Sequence, residues 1–298
     1  MKNKQSKFLF WILVWGLGII GQLCWNIENQ WFNTFVYAKI AKDPTIISWM
    51  VAVSAIATTI STFLFGTMSD RLGKRKPFMA IGYILWGIFT ILFGTTEFIA
   101  KGKGASGIML AATAVVLADA LMSFFGSMGN DASFNAWLND NMNEENRGGI
   151  GAALATQPVI GTIIGTIVGG LLIGSNDNYM RLFTVMGGGA ILFGILSLFV
   201  VKDVKGLKPY KEGSFFEQLF SAFDLKALLK HKDPSLLCSL CFTVASKSYS
   251  AALRIYPTTS CTPSNLNFPN ITGIMIPLLL KGILLSKDLV GVSRRPIL

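Results

Sequence analysis

The sequence predicts an all-α membrane protein whose first 201 residues form six membrane-spanning helices. Of its 298 residues, 52% are apolar and only 14% are charged, whereas about a quarter of the residues of a soluble domain are charged. Apolar stretches of roughly 20 residues, the length that crosses a bilayer as a helix, recur along this part of the chain. Basic residues concentrate in alternate connections between them. These observations together exclude an ordinary soluble domain.

The spans follow one another with short connections. Helix one runs from about residue 8 to residue 40, and the others occupy residues 46–68, 78–98, 108–136, 149–174 and 181–201. If the amino terminus is cytoplasmic, the opposite side holds only Lys39, Lys42, Lys101, Lys103 and Arg181 among the first 232 residues, and the other basic residues face the cytoplasm. Such a bias is typical of cytoplasmic loops. We therefore expect a multi-pass protein of the cell membrane with a cytoplasmic amino terminus and the lipid bilayer as its surroundings.

The connection between helices two and three carries the most specific motif, GTMSDRLGKRKPF at residues 66–78. Its motif positions are Gly66, Asp70, Arg71, Gly73, Lys74 and Arg75. The loop resembles the helix 2–3 loop of the major facilitator superfamily. Residues 69–82, SDRLGKRKPFMAIG, are most similar to the glycoside, pentoside and hexuronide cation symporters, the family of the melibiose carrier. The resemblance covers roughly residues 8 to 232.

This resemblance implies the amino-terminal six-helix half of a secondary carrier for a sugar, glycoside or uronide, coupled to Na⁺ or H⁺. In the superfamily the loop gates the cytoplasmic side, with its aspartate near a helix end and its arginine in a charge network. Asp131 and the following Ala-Ser-Phe resemble the pattern around a functional aspartate of helix four. Members of the branch bind the coupling cation with helix-two acids, but residues 46–68 contain none. Coupling through Asp119 or Glu28, or no coupling, stays open.

Polar side chains inside the spans mark the candidate substrate site. Four amides of helix one are spaced by four, three and four residues and share a helical face, which must meet protein or a water-filled cavity. Amides and carboxyls can bind sugar hydroxyls and an indole can stack on the ring. Hydrogen bonding between helices is the alternative, and which helix-four aspartate faces the cavity stays open. The candidates are Gln22, Trp25, Asn26, Glu28, Asn29, Asn33, Asp119, Asp131 and Gln157.

Helix five carries Gly161, Gly165 and Gly169 at four-residue spacing. Small residues at this spacing let membrane helices approach closely, so we expect a packing surface, or a surface that slides during transport. The glycines at 187–189 in helix six are the partner that the sequence suggests.

The sequence divides into a bundle at residues 1–201, a cytoplasmic linker with an amphipathic helix at 202–232, and a divergent, poorly ordered tail at 233–298. Six of the ten prolines and none of the tryptophans lie beyond residue 233. We expect a truncated or frameshifted copy with impaired transport, or else a purpose-made half-size protein. A second copy or a missing carboxy-terminal half is then the expected partner.

No pattern in the sequence indicates an enzyme. The chain lacks HExxH, GxSxG and a Walker loop, and its GxGxxG at residues 102–107 lies in a short loop without a preceding strand. We expect no cofactor other than a coupling ion, no metal and no nucleic-acid partner. The alternatives to a sugar carrier are a non-transporting membrane protein that binds a ligand or partner, and a carrier of a lipid-like substrate.

Overall fold

The computed structural model describes residues 7–100, 104–204, 207 and 213–216. All of them belong to one compact unit, Met1–Leu225. The predicted tail and most of the predicted linker helix lie outside the described residues.

Six helices of the described residues are long and apolar enough to cross a membrane. They are α1 (Lys7–Ile40), α2 (Pro44–Leu72), α3 (Lys76–Ala100), α4 (Gly104–Asp140), α5 (Arg147–Asn176) and α6 (Tyr179–Val200). The described residues contain no strand. The predicted all-α class and the six spans are confirmed, with ends that differ from the predicted ones by a few residues.

The ends of α2 show how local sequence sets a helix boundary. Pro44 occupies the first turn, and Asp43 precedes it and accepts a hydrogen bond from the backbone N–H of Thr45 at 2.9 Å. This bond lowers the pKa of the Asp43 carboxyl below its ordinary value. At the other end Gly73 adopts a left-handed conformation with φ of 62°, which glycine reaches without a Cβ penalty.

Two of the helices contain π-helical turns. In α1 they occupy Ile27–Phe32 and Val36–Ile40, and in α4 one covers Ser127–Phe134. Such turns change the rotation of all later side chains about the helix axis, and they occur frequently at functional sites. Among the described residues, the two helices that hold the acidic candidates are therefore the two with π-helical turns.

Close helix contacts depend on glycines, as predicted, but with a different partner. A Cβ on Gly161, Gly165 or Gly169 of α5 would collide with Gln22, Asn26 or Trp31 of α1. The suggestion that residues 187–189 of helix six receive these glycines is wrong, because Gly187 instead lies against Gly87 of α3. The glycine face of α5 therefore packs on α1.

An aromatic cluster fills the half of the bundle opposite the helix 2–3 loop. Phe32 of α1 stacks on Phe93 of α3 with ring centroids 3.7 Å apart, and Phe183 of α6 meets both rings edge-on. All three are buried. The cluster joins α1, α3 and α6. The polar side chains inside the spans lie closer to the middle of the bundle.

Candidate functional site

Oxygen-bearing side chains recur every four residues along α4, at Asp119, Ser123, Ser127 and Asp131. Ser123 donates a hydrogen bond to Oε1 of Glu28 in α1 at 2.8 Å. Ser127 donates to Oδ2 of Asp131 at 2.7 Å. Glu28 and Asp131, predicted separately, thus lie along one polar stripe of α4.

Asp119 is the most buried acid of this stripe, with 2% of its surface exposed. Its neighbour across the helix interface is Ser54 of α2, whose hydroxyl donates to the Val51 carbonyl at 3.3 Å. Among the described residues Oδ1 of Asp119 has no hydrogen-bond partner. Buried polar atoms without partners are rare in proteins, so this one calls for a ligand, a water or an ion.

Tyr83 of α3 links α1 to the part of the stripe near Asp131. Its hydroxyl lies 2.9 Å from the Leu17 carbonyl and 3.0 Å from Oδ1 of Asn130, and its single proton serves one of them at a time. The Asn130 amide in turn lies 3.4 Å from Oδ1 of Asp131. Gly21 makes room for this contact, since a Cβ there would come within 3.0 Å of the tyrosine oxygen.

Two indoles lie beside the stripe. The rings of Trp25 in α1 and Trp86 in α3 approach to 4.9 Å between centroids. Trp86 is fully buried, and its Nε1 donor has no acceptor among the described residues. Oδ1 of Asn26 is likewise buried without a partner in this part of the chain. The middle of the bundle therefore offers both unused donors and unused acceptors.

The amides of α1 do not all share one environment. Gln22 and Asn26 pack against the glycines of α5, whereas Asn33 donates to the backbone carbonyl of Asn29, which is exposed. The π turn at Ile27–Phe32 lies between the two pairs and breaks the constant spacing.

Two further side chains belong to the interface between α1 and α5. Gln157 is 1% exposed and donates to the Val14 carbonyl at 3.0 Å, and Trp31 donates to the Gly165 carbonyl at 3.1 Å. These contacts match the interhelical alternative for Gln157 and, through the packing above, for Gln22.

Arg75 is the centre of the helix 2–3 loop motif. Its guanidinium pairs with Asp70 at 2.5 Å and with Asp140 of α4 at 2.9 Å, and it donates to Ser69 at 2.6 Å. Burial by itself lowers the pKa of this group, but hydrogen bonds to Asp140 and Asp70 outweigh burial and raise the pKa above its ordinary value. Arg75 stays charged and joins the ends of α2 and α4.

The structure shows the partners of the other loop residues. Asp140 of α4 and Asp70 of the motif both pair with Arg75. Arg71, expected in the charge network, instead donates to the Gly213 carbonyl at 2.8 Å and lies over the ring of Phe215. Lys74 is exposed, and Gly66 has open space around it.

A carboxylate distant in sequence completes the cluster. Oδ1 of Asp203, just after α6, accepts the backbone N–H groups of Arg75 and Lys76 at 3.0 and 2.9 Å. These donors at a helix amino end have no partner within the helix. The carboxy-terminal ends of α2, α4 and α6 and the amino-terminal end of α3 therefore meet at one charged cluster.

The chain thus has six spans and a charged cluster at the helix 2–3 loop. Comparison with protein-family models identifies the family to which such a chain belongs. The model described as Major Facilitator Superfamily matches residues 10–291. The chain belongs to the Major Facilitator Superfamily. The match extends past residue 232, where the resemblance identified in the sequence ended. No curated protein and no solved structure matches the chain.

Membership makes the chain a multi-pass membrane protein of a transporter superfamily, whose members are transporters and not enzymes. The described residues contain no group of three or more His, Cys, Asp or Glu that could hold a metal ion. The sequence analysis did not single out several residues of these contacts, namely Ser54, Tyr83, Trp86, Ser123, Ser127, Asn130 and Asp203. The spacing of Asp119, Ser123, Ser127 and Asp131 was visible in the sequence and would have revealed two of them.

Proposed function

We propose that this superfamily member is a secondary active carrier of a sugar, glycoside or uronide. The observation that carries the proposal is a set of buried polar atoms on α1, α3 and α4 that have no hydrogen-bond partner among the described residues. Nε1 of Trp86 needs an acceptor, and Oδ1 of Asn26 and Oδ1 of Asp119 need donors. A sugar hydroxyl is both donor and acceptor, so it suits such a mixed set.

The surroundings of these atoms support a carbohydrate over an apolar substrate. Glu28 enters the same region and is held by Ser123. Trp25 adds an indole that is only partly buried, and indoles combine an apolar face with a polar edge. Binding sites of this kind of carrier lie near the membrane midplane, between two repeats.

The described residues supply one six-helix unit, and we propose that a second copy or a carboxy-terminal half supplies the other wall of the site. Two repeats that rock about a shared site give alternating access. On this proposal the cell membrane is the site of action, and the loop cluster around Arg75 faces the cytoplasm, in keeping with its basic residues.

The test is ligand-dependent thermal stabilisation of the detergent-purified full chain against a panel of monosaccharides, disaccharides and uronides, with and without sodium. A ligand at one hundred times its Kd stabilises by about 2.7 kcal/mol, so a rise in Tm of several degrees is expected for one class. Glu28→Gln should remove the rise, whereas the exposed loop variant Glu144→Gln should keep it.

Counterflow in proteoliposomes then separates transport from binding. Exchange of the stabilising sugar across the membrane would support the carrier proposal. The exchange rate should increase when a second copy is present in the bilayer. Stabilisation by lysophospholipids alone would instead indicate a lipid-like substrate. A monodisperse sample that no sugar stabilises would refute the carbohydrate proposal.

A further inference from the structure

The charged side chains of the six described spans are sorted by position. The acids away from the span ends are Glu28 of α1 and Asp119 and Asp131 of α4, whereas every Lys and Arg of these spans lies at a span end. A ligand bound between the helices therefore meets carboxyl groups and no side-chain cation of these spans. Because charges interact strongly where water is scarce, the sign of the ligand's own charge should decide which ligands bind.

An aromatic pair adjoins the carboxyl group of Glu28. Oε1 of Glu28 accepts a hydrogen bond from Ser123 of α4 at 2.8 Å. Gly126, one turn further along α4, lies against the indole of Trp86, since a Cβ there would come within 2.8 Å of Cε2, the ring atom bonded to Nε1. Trp86 in turn contacts Trp25 of α1, with ring centroids 4.9 Å apart. A carboxyl group and two indoles therefore meet the same stretch of α4.

Two buried polar atoms beside this stretch have no hydrogen-bond partner among the described residues. Nε1 of Trp86 is a donor, and Oδ1 of Asp119 is an acceptor. Trp86 is fully buried, and Asp119 is 2% exposed. Asp119 precedes Gly126 by seven residues, about 10 Å along a helix, and Ser123 with Glu28 lies between them. A ligand that bridges the two atoms needs a donor at one end and an acceptor at the other.

A protonated amine is the donor that fits the acidic end. An ammonium group has N–H donors and no acceptor, and a charged donor makes a hydrogen bond to a carboxylate about twice as strong as a bond between neutral groups. Indole faces attract the same cation. At the other end, a sugar hydroxyl can accept the N–H of Trp86. The arrangement therefore suits one molecule that carries both an ammonium group and hydroxyl groups.

A uronate is the opposite case. Its carboxylate would add a negative charge to the region of Glu28 and Asp119, and like charges in a low-dielectric region disfavour one another. Recognition of a carboxylate commonly uses an arginine, and the described spans place Lys and Arg only at their ends. The charge of a single substituent should therefore separate sugars that share one ring.

We propose that the site takes an amino sugar and rejects uronates. The ammonium group of the sugar binds at the carboxyl groups of Asp119 and Glu28, and a hydroxyl group accepts the N–H of Trp86. This inference rests on the proposed function, because it names the substrate class of the same site. It selects the basic members among sugars and glycosides and excludes the uronides.

The test is the Kd of the detergent-purified full chain for glucosamine, glucose and glucuronate and for the corresponding galactose series. Each Kd is obtained from Tm against ligand concentration, at matched ionic strength and at a pH where the amine is protonated. Because hydrogen bonds to charged groups are the stronger ones, we expect the Kd of the amino sugar to be about tenfold below that of the neutral sugar. The uronate should not stabilise the chain.

Two variants locate the charge that sets this preference. Asp119→Asn should bring the Kd values of the amino sugar and the neutral sugar together, because it replaces a carboxylate with a neutral amide. Glu144→Gln removes a negative charge from an exposed loop residue and should keep the tenfold difference. An unchanged preference in a folded Asp119→Asn variant would contradict the assignment.

The wild-type comparison decides the inference without any variant. A uronate that binds as tightly as the amino sugar, or equal Kd values for the amino and neutral sugars, would overturn it, while stabilisation by the neutral sugar would still support the carbohydrate proposal. Cyclohexylamine and cyclohexanol separate the two ideas further. Stabilisation by this amine alone, with no sugar active, would support the ammonium site and refute the carbohydrate proposal, and stabilisation by none of these ligands would overturn both.

Discussion

Replacing Arg75 with Gln tests whether the charged cluster at the helix 2–3 loop stabilises the bundle. The substitution keeps hydrogen-bonding capacity but removes the charge that Asp70 and Asp140 share. Two carboxylates then lie close together without a cation. We therefore expect this single substitution near the protein surface to lower the free energy of unfolding substantially.

The magnitude follows from the exposure of the three side chains. Arg75 is 8% exposed, Asp140 18% and Asp70 44%. Breaking a buried ion pair by removing one partner costs about 3–5 kcal/mol, whereas exposed pairs contribute at most about 1 kcal/mol. Because Asp70 is screened by water, the loss comes mainly from Asp140 and should be about 3 kcal/mol. At about 2–4 °C per kcal/mol for a unit of this size, Tm should fall by about 6–12 °C.

The assay is thermal unfolding of the purified chain in one detergent, with Lys74→Gln as the control. Lys74 is an exposed base of the same loop, and its replacement should change stability by less than about 0.5 kcal/mol. Adding Asp140→Asn to the Arg75 variant removes the orphaned charge and should recover part of the loss, since contacting residues couple by about 0.5–3 kcal/mol. Equal effects of the Arg75 and Lys74 variants, or strict additivity with Asp140→Asn, would refute the reasoning.

Three further outcomes are expected. Gly169→Ala places a Cβ 2.8 Å from Cζ2 of Trp31 and should lower the free energy of unfolding by about 1–3 kcal/mol. The control Gly170→Ala has open space around it and should leave that free energy unchanged. Thermal unfolding measures both. Asp203→Ala removes the acceptor at the start of α3 and should cost about 1 kcal/mol, with faster amide exchange confined to that turn; unchanged exchange would contradict the cap. The pKa of Asp43 is below its ordinary 3.8, so its cap on α2 is fully present above that pH and is lost as pH falls through the lower folded value. Amide exchange at the first turn of α2 should therefore rise in acid, but not in Asp43→Asn.

Much of the fold could be predicted because its signals are local. Spans of about 20 apolar residues identify membrane helices one at a time, and Pro44 and Gly73 mark the ends of α2 through their own backbone preferences. The acids inside the spans could be identified for the same reason, since an ionisable group at that depth is unusual wherever it points. The sequence alone therefore determined the six-helix class and the three acids.

The pairing of these parts depended on the tertiary structure. The glycines of α5 face α1 and not α6, and Arg75 rather than Arg71 gathers the acids. The π turns in α1 and α4 alter the rotation of every later side chain, so a constant helical period does not say which face a residue occupies. Asp203 reaches the start of α3 across 128 residues of sequence, and no local pattern encodes a contact over that distance. Which helix faces which is set by how all six pack together, and only the folded bundle contains that information.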